Sequence, residues 1–168
     1  MIRIKKQFIP EAYCLKCSGC CRFREANSVW SPCLLDEEIQ DLLDKNIPAV
    51  SLSVDKRLLL VADKEGSCFY CPFLKPEGNK CSIYHSRPFE CQLYPFLISL
   101  KNSKVFLTVD LNCPYVKEKI NTPEFKEYTK SLILLLNEPD NLEILRDNPH
   151  IIQAYSEVEQ VIELDIPR

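Results

Sequence analysis

The cysteines are the residues of this sequence best suited to chemistry, and they are concentrated. Four of the ten lie in one eight-residue stretch, "CLKCSGCC", at positions 14 to 21. A second group lies in "CFYCPFLKPEGNKCSIYHSRPFEC", which holds Cys68, Cys71, Cys81 and Cys91, and Cys33 and Cys113 complete the set. Buried thiols can pack as small apolar residues anywhere in a core, so packing alone does not require this density.

The spacing within the first group is typical of metal ligands. Cys14-x2-Cys17-x2-Cys20 lets successive thiolates converge on one metal from a tight loop. The pattern matches both zinc knuckles and the start of a bacterial ferredoxin run, but Cys21 follows Cys20 directly and breaks the ferredoxin pattern. Adjacent side chains generally point in different directions, which favours two neighbouring sites or one polynuclear site. A single zinc knuckle made of this group alone is the simpler alternative.

The composition argues against several other classes of function. The chain has 168 residues and a formal net charge of -3, which predicts a soluble globular protein without a nucleic-acid partner. Its three glycines form no phosphate-binding loop. The N-terminal stretch has no apolar run suited to a signal peptide, and "LILLL" is too short to span a bilayer. We therefore expect a cytoplasmic protein without a membrane partner, in which reduced thiols serve as metal ligands or redox groups. A secreted protein with five disulfides is the alternative.

Local patterns predict the elements that position the cysteines. "LLDEEIQDLLDKNIP" predicts a short amphipathic helix with Asp36 as its N-cap and with Asn46 and Pro48 as its stop. "VSLSVDKRLLLVAD" and "FLISLKNSKVFLTV" each place two apolar runs around a polar turn, which predicts two β-hairpins.

The C-terminal part has a helical pattern. Thr122 as N-cap and Pro123 at the first helical position predict a helix to about Asn137, and a short helical piece is expected around residues 142–145. "DNPHIIQAYSEVEQVIELD" predicts a further helix from its apolar stripe. The expected fold is α+β: a loop-rich cysteine-cluster domain over residues 1–115, with a helical segment over residues 116–168 packed on it.

Taken together, "CLKCSGCC", "CPFL", "CSIYHSRPFECQLYPF" and the later "CP" resemble the CxxCxxCC family of zinc- or iron-chelating domains, over roughly residues 14 to 115. This family is similar to the cysteine-rich part of flagellin lysine N-methylases. The resemblance implies metal ions as partners, with a [4Fe-4S] cluster or Zn²⁺ as cofactor. The ligands it implies are Cys14, Cys17, Cys20, Cys21, Cys71, Cys81, Cys91 and Cys113.

Several assignments stay open at this stage. Cys68 has ligand spacing with Cys71 and could replace one of the eight, whereas Cys33 is expected to be a buried thiol. His85 could be a ligand or a proton shuttle. Arg87 is the best candidate for a cation that contacts the cofactor and offsets the thiolate charge.

The metal and the activity are also open. The ferredoxin-like opening, the Cys-Pro steps and the vicinal cysteines slightly favour iron-sulfur over zinc. A metal-dependent enzyme with an open coordination position is the alternative to a metal-binding module.

Overall fold

The computed structural model describes residues 1–17, 19–45, 52–75 and 77–166. The chain forms two compact units. Ile9–Cys91 make up one, here called the cysteine unit, and Met1–Phe8 with Gln92–Arg168 make up the other, here called the hairpin unit. Both contain helices and antiparallel strands, which confirms the α+β class. The proposed domain boundary at residue 115 differs from these divisions and stays a prediction.

Short elements separated by loops build the cysteine unit. Its helices are α1 (Glu11–Cys17), α2 (Asp36–Asp44) and the start of α3 (Phe89–Leu93). Its strands are β1 (Arg22–Phe23), β2 (Val61–Ala62), β3 (Phe69–Tyr70), β4 (Leu74–Lys75) and β5 (Lys80–Cys81). β3 pairs antiparallel with both β1 and β2, and β4 pairs with β5. Because two-residue strands make few ladder hydrogen bonds, other contacts must stabilise this unit.

Helix α2 forms as predicted but has a different cap. Leu35 is the N-cap, and its N–H donates a hydrogen bond of 2.9 Å to the Glu38 carboxylate. Asp36 is therefore the first helical residue rather than the N-cap, a position where its charge still complements the helix dipole. Asn46 and Pro48, the predicted stop, lie outside the described residues.

The first predicted hairpin is realised as a tight turn. One antiparallel bridge joins Leu52 to Leu58, and the Ser53 N–H donates to the Arg57 carbonyl at 2.8 Å. The second apolar run continues past the turn and its Val61–Ala62 segment pairs with β3. Pairing with a distant strand thus takes the place of an extended local hairpin.

The second predicted hairpin is confirmed and forms the centre of the hairpin unit. β6 (Phe96–Lys101) pairs with β7 (Lys104–Val109) over their full length. Asn102 and Ser103 at the turn have φ of 51° and 62°, the left-handed conformation that a tight two-residue hairpin requires.

The helix predicted over "DNPHIIQAYSEVEQVIELD" was wrong, because this segment forms a strand. A 3₁₀ turn covers Pro149–Ile151, and Glu157 adopts a positive φ of 62°, which a helix does not accommodate. Strand β8 (Glu159–Leu164) then pairs antiparallel with β7. Pairing with the free edge of β7 outweighs the local helical spacing, since strand preference depends on context.

The other two helices predicted in the C-terminal part are confirmed. After α4 (Pro114–Lys119), helix α5 (Pro123–Leu136) starts at Thr122, whose hydroxyl oxygen accepts the Phe125 N–H at 3.2 Å. Helix α6 (Pro139–Asp147) contains the short helical piece expected near Leu142. Phe8 packs against aromatic rings of α4 and α5 in the core of this unit. None of the helices in the described residues is long and apolar enough to cross a membrane.

Candidate metal centre

Helix α1 and the turn after it carry the first four cysteines. Cys14 and Cys17 are three residues apart on α1 and so share one face of the helix. Cys20 and Cys21 follow in a 3₁₀ turn over Gly19–Cys21. Cys17 and Cys20 are exposed residues, whereas Cys14 and Cys21 are partly buried. The first and last cysteines of this segment, Cys14 and Cys21, are therefore the two that lie deeper.

Strand pairing brings the second group of cysteines to the first. β1 pairs with β3 so that Cys21 and Cys71 lie at the same end of the ladder, and the Cys71 N–H donates to the Cys21 carbonyl at 3.0 Å. β4 and β5 pair Leu74 with Cys81, which returns the chain towards Cys71. All three cysteines belong to or pack against the apolar core of the cysteine unit. Contacts between distant segments, rather than the local motif, thus assemble the group.

Seven thiols are connected by electrostatic interactions between particular pairs. The charge of Cys21 acts on the thiols of Cys14, Cys20, Cys71, Cys81 and Cys91, and the charge of Cys17 acts on Cys14. We call these seven residues the thiol cluster: Cys14, Cys17, Cys20, Cys21, Cys71, Cys81 and Cys91. All of them are among the eight ligands that the sequence motif implied.

The vicinal pair shares a hydrogen bond, with Cys20 as donor and Cys21 as acceptor. This bond is the main cause that raises the pKa of Cys20, and desolvation of the thiol adds to it although the residue as a whole is exposed. The same bond lowers the pKa of Cys21, and the guanidinium groups of Arg87 and Arg22 lower that pKa further. Cys21 is therefore the thiol of the pair that is more readily deprotonated.

The deeper thiols are held in their neutral form. Burial raises the pKa of Cys71 to about 12, and the neighbouring Cys21 and Cys81 add to the rise. Burial likewise raises the pKa of Cys91 well above its usual range. Packing several thiolates together without a cation would place like charges in an apolar interior, so protonation is favoured.

Arg87 lies beside the thiol cluster, where the sequence predicted a compensating cation. Its charge opposes the rise in the pKa of Cys14, which is caused mainly by burial, and it acts in the same way on Cys81 and Cys91. The Arg87 Nε–H donates to the Tyr84 carbonyl at 3.0 Å, and the guanidinium lies 3.9 Å from the centre of the Tyr84 ring. These contacts fix the guanidinium, but its contact with a cofactor stays a prediction.

The donor set of the thiol cluster fits zinc or iron, which favour thiolate ligands. Among the described residues, no three His, Cys, Asp or Glu side chains are arranged so that they could hold a metal ion as they stand. Rotation about the Cα–Cβ bond moves a cysteine sulfur while the backbone stays in place. Metal binding by this cluster would therefore require its sulfur atoms to move.

Two further cysteines have surroundings of their own. Cys33 is fully buried, as expected, and its pKa is raised to about 12 by burial and by Glu90. The Cys68 thiol donates to the carbonyls of Phe23 at 3.6 Å and Phe69 at 3.7 Å. Ligation by Cys68 in place of one of the eight cysteines stays a prediction.

The last two candidate ligands are Cys113 and His85. Cys113 is buried in the hairpin unit, where it is the N-cap of α4. The His85 ring meets the Tyr84 ring edge-on in a 3₁₀ turn of the cysteine unit. Ligation by either residue stays a prediction.

Sequence reasoning missed two buried carboxylates that brace α3, the helix that carries Cys91. Glu38 accepts the Phe89 N–H at 2.5 Å, and Glu90 accepts the Cys33 N–H at 2.6 Å. Glu38 is 6% exposed and Glu90 is 7% exposed. The available signal for Glu38 was its place four residues before Leu42, on the apolar side of α2.

Most of the chain matches a known protein family. Residues 13–128 match the family described as "CxxCxxCC: Putative zinc- or iron-chelating domain". The chain belongs to this family. The matched region contains the whole thiol cluster together with Cys113, and the family description agrees with the donor set of a zinc or iron site.

One relative of this chain is an uncharacterized protein, MJ0661, of Methanocaldococcus jannaschii. The two are 42% identical over 41 residues, which is 24% of this chain and 22% of the relative. The chain thus matches about a fifth of that relative's length. No solved structure matches the chain.

Proposed function

We propose that this protein binds zinc or iron through the thiolates of the cysteine unit. The observation that carries the proposal is the grouping of seven thiols from distant parts of the chain around Cys21 and Arg87. Thiolates are ligands for both zinc and iron-sulfur clusters.

Burial and charge support this proposal. Four thiolates around one Zn²⁺, or around one [4Fe-4S]²⁺ cluster, leave a local charge of about -2. Arg87 supplies a positive charge next to several of the thiols. A bound metal would replace the protons that now keep the buried thiols neutral, so binding releases protons and links to folding.

The first experiment is a count of iron, zinc and acid-labile sulfide on full-length protein purified without oxygen, with its visible absorption spectrum. About four irons with matching sulfide and a broad band near 400 nm would identify a [4Fe-4S] cluster. Zinc without colour would identify closed thiolate sites. Protein that contains neither metal, and does not take either up after reduction, would contradict the proposal.

Two matched substitutions test whether the thiol cluster is the site. Cys17→Ser changes an exposed cysteine of the cluster, so the fold should persist while metal affinity falls by more than about tenfold. Cys33→Ala is the control, because Cys33 is a fully buried thiol of the same unit that lies outside the thiol cluster. Equal metal affinity in wild type and Cys17→Ser, measured by chelator competition, would remove Cys17 from the site.

A further inference from the structure

We infer that Glu38 and Glu90 are positioning residues for the proposed metal site. Their carboxyl groups link the region around the start of α2 to the start of α3 through two hydrogen bonds, an arrangement that we call the carboxyl clasp. This inference rests on the proposed function. It adds two residues that fix the backbone between Arg87 and Cys91, although neither carboxyl group is a proposed ligand.

The two hydrogen bonds of the clasp run in opposite directions. Glu38 lies in α2, and its carboxyl group accepts the N–H of Phe89, the first residue of α3, at 2.5 Å. Glu90 lies in α3, and its carboxyl group accepts the N–H of Cys33, just before α2, at 2.6 Å. Two bonds between the same two segments limit their rotation as well as their separation. The start of α3 is therefore tied to the start of α2.

The clasp lies in the interior of the cysteine unit. Both glutamates are buried, and Phe89 and Cys33, which supply the N–H groups, have no exposed surface. The second oxygen of Glu38 accepts the N–H of Leu35, also fully buried, at 2.9 Å. Each of these N–H groups would be left without water to replace its acceptor if the carboxyl group were removed. The clasp thus holds α3 in one position rather than in several.

The residues tied by the clasp lie between two groups of the proposed site. Arg87 directly precedes Pro88, and Cys91 directly follows Glu90. Pro88 is buried and has a restricted φ, and Phe89 is fully buried. The backbone from Arg87 to Cys91 therefore has little freedom. The clasp sets the position from which the Arg87 guanidinium and the Cys91 sulfur reach the other thiols.

Helix α2 supplies no thiol to the cluster but is firmly packed. Leu34 and Leu42 belong to the apolar core of the cysteine unit, and Ile39 packs against that core. A helix anchored in this way can serve as the fixed support to which the segment carrying Cys91 is attached. Groups that orient a metal ligand without binding the metal typically change its affinity by about tenfold to a hundredfold.

The test compares variants of the full-length protein, freed of native metal, reduced and titrated with Co²⁺. Cobalt in a thiolate site absorbs visible light, and its absorption depends on the number and geometry of its ligands. Glu38→Ala removes the acceptor of the Phe89 and Leu35 N–H groups, so Co²⁺ affinity should fall by about tenfold or more and the absorption band should change. Glu90→Ala, which removes the acceptor of the Cys33 N–H, should act in the same direction.

Three further variants separate positioning from stability. Glu38→Gln retains one acceptor oxygen, so its affinity should lie between those of the wild type and Glu38→Ala, and it decides the test if Glu38→Ala does not fold. Glu37→Ala removes an exposed carboxylate from the same helix. Leu42→Ala removes a buried side chain of that helix and leaves the clasp in place. Both controls should keep the wild-type band once circular dichroism has shown that they are folded.

The possible outcomes distinguish this inference from the proposed function. Wild-type affinity and absorption in Glu38→Ala, Glu38→Gln and Glu90→Ala would contradict the inference while leaving metal binding intact. A band that changes as much in Leu42→Ala as in Glu38→Ala would also contradict it, because loss of packing alone would then reproduce the effect.

A native iron-sulfur cluster would change the probe but not the comparison. The visible band of the cluster, and the rate at which a chelator removes its iron, then take the place of the cobalt measurements. Failure of the wild-type protein to bind cobalt, zinc or iron would instead contradict the proposed function itself.

Discussion

At the scale of single residues, Arg87 determines how much positive charge the thiols experience. The hydrogen bond from Cys20 is the main cause that lowers the pKa of Cys21, and the positive charge of Arg87 lowers it further. Arg87→Gln removes that charge. We expect the thiols to be less ionised at neutral pH and metal affinity to fall by about tenfold. The measurements are the pH dependence of thiol alkylation in the metal-free protein and a chelator competition.

Two companion variants separate charge from geometry. Arg87→Lys keeps the charge but loses the planar group that lies over Tyr84 and donates to its carbonyl, so its affinity should be intermediate. Arg24→Gln changes an exposed arginine near the motif and should leave alkylation unchanged. Equal effects of Arg24→Gln and Arg87→Gln would mean that only net charge matters.

At the scale of elements, Glu38 connects the start of α2 to the start of α3. Its carboxylate accepts the N–H groups of Leu35 and Phe89, while burial raises its pKa to about 7. The unfolded chain releases this proton near pH 4.5, so the folded state binds more protons between about pH 4.5 and 7. Its contribution to stability therefore falls as pH rises, by on the order of 2 to 3 kcal/mol across that range.

Urea unfolding at pH 5 and pH 7.5 measures this effect. Glu38→Gln should reduce the loss of stability between the two pH values, because glutamine stays neutral and retains one acceptor oxygen. Glu65→Gln, at an exposed position of the same unit, should keep the wild-type pH dependence. If the free energy of unfolding of Glu38→Gln depended on pH as strongly as that of the wild type, another group would titrate in this range.

Elements were predictable from the sequence where local chemistry determines them. Helix α5 follows from Thr122 and Pro123, and the β6–β7 hairpin follows from its apolar runs and polar turn. Strand β8 could not be predicted in this way, because it depends on pairing with β7. The local spacing of its apolar residues is helical: Ile151, Ile152, Tyr155, Val158 and Ile162.

The candidate site was likewise predictable from the sequence only in part. The motif identified the candidate ligands, and Arg87 was predicted as the nearby cation. The meeting of Cys21 with Cys71 depends on the β1–β3 pairing, a contact between residues fifty positions apart that no local pattern contains.

At the scale of the whole molecule, the two units should respond differently to metal removal. The strands of the cysteine unit are two residues long and its core includes Cys71, whereas β6 and β7 of the hairpin unit pair over six residues each. Metals bound by thiolates can supply much of the folding free energy of the segment around them. We therefore expect removal of metal to destabilise the cysteine unit selectively.

Hydrogen exchange on the native and chelator-treated protein measures this difference. The amide of Cys71, bonded to the Cys21 carbonyl, and that of Ser82, bonded to the Phe73 carbonyl, should exchange about a hundredfold faster or more without metal. The β7 amides should change little. Thr122→Ala is the control, since loss of the α5 cap should speed exchange in α5 about fivefold with or without metal. Equal acceleration in both units would mean that they unfold as one cooperative body, and unchanged exchange at Cys71 would mean that the cysteine unit is stable without metal.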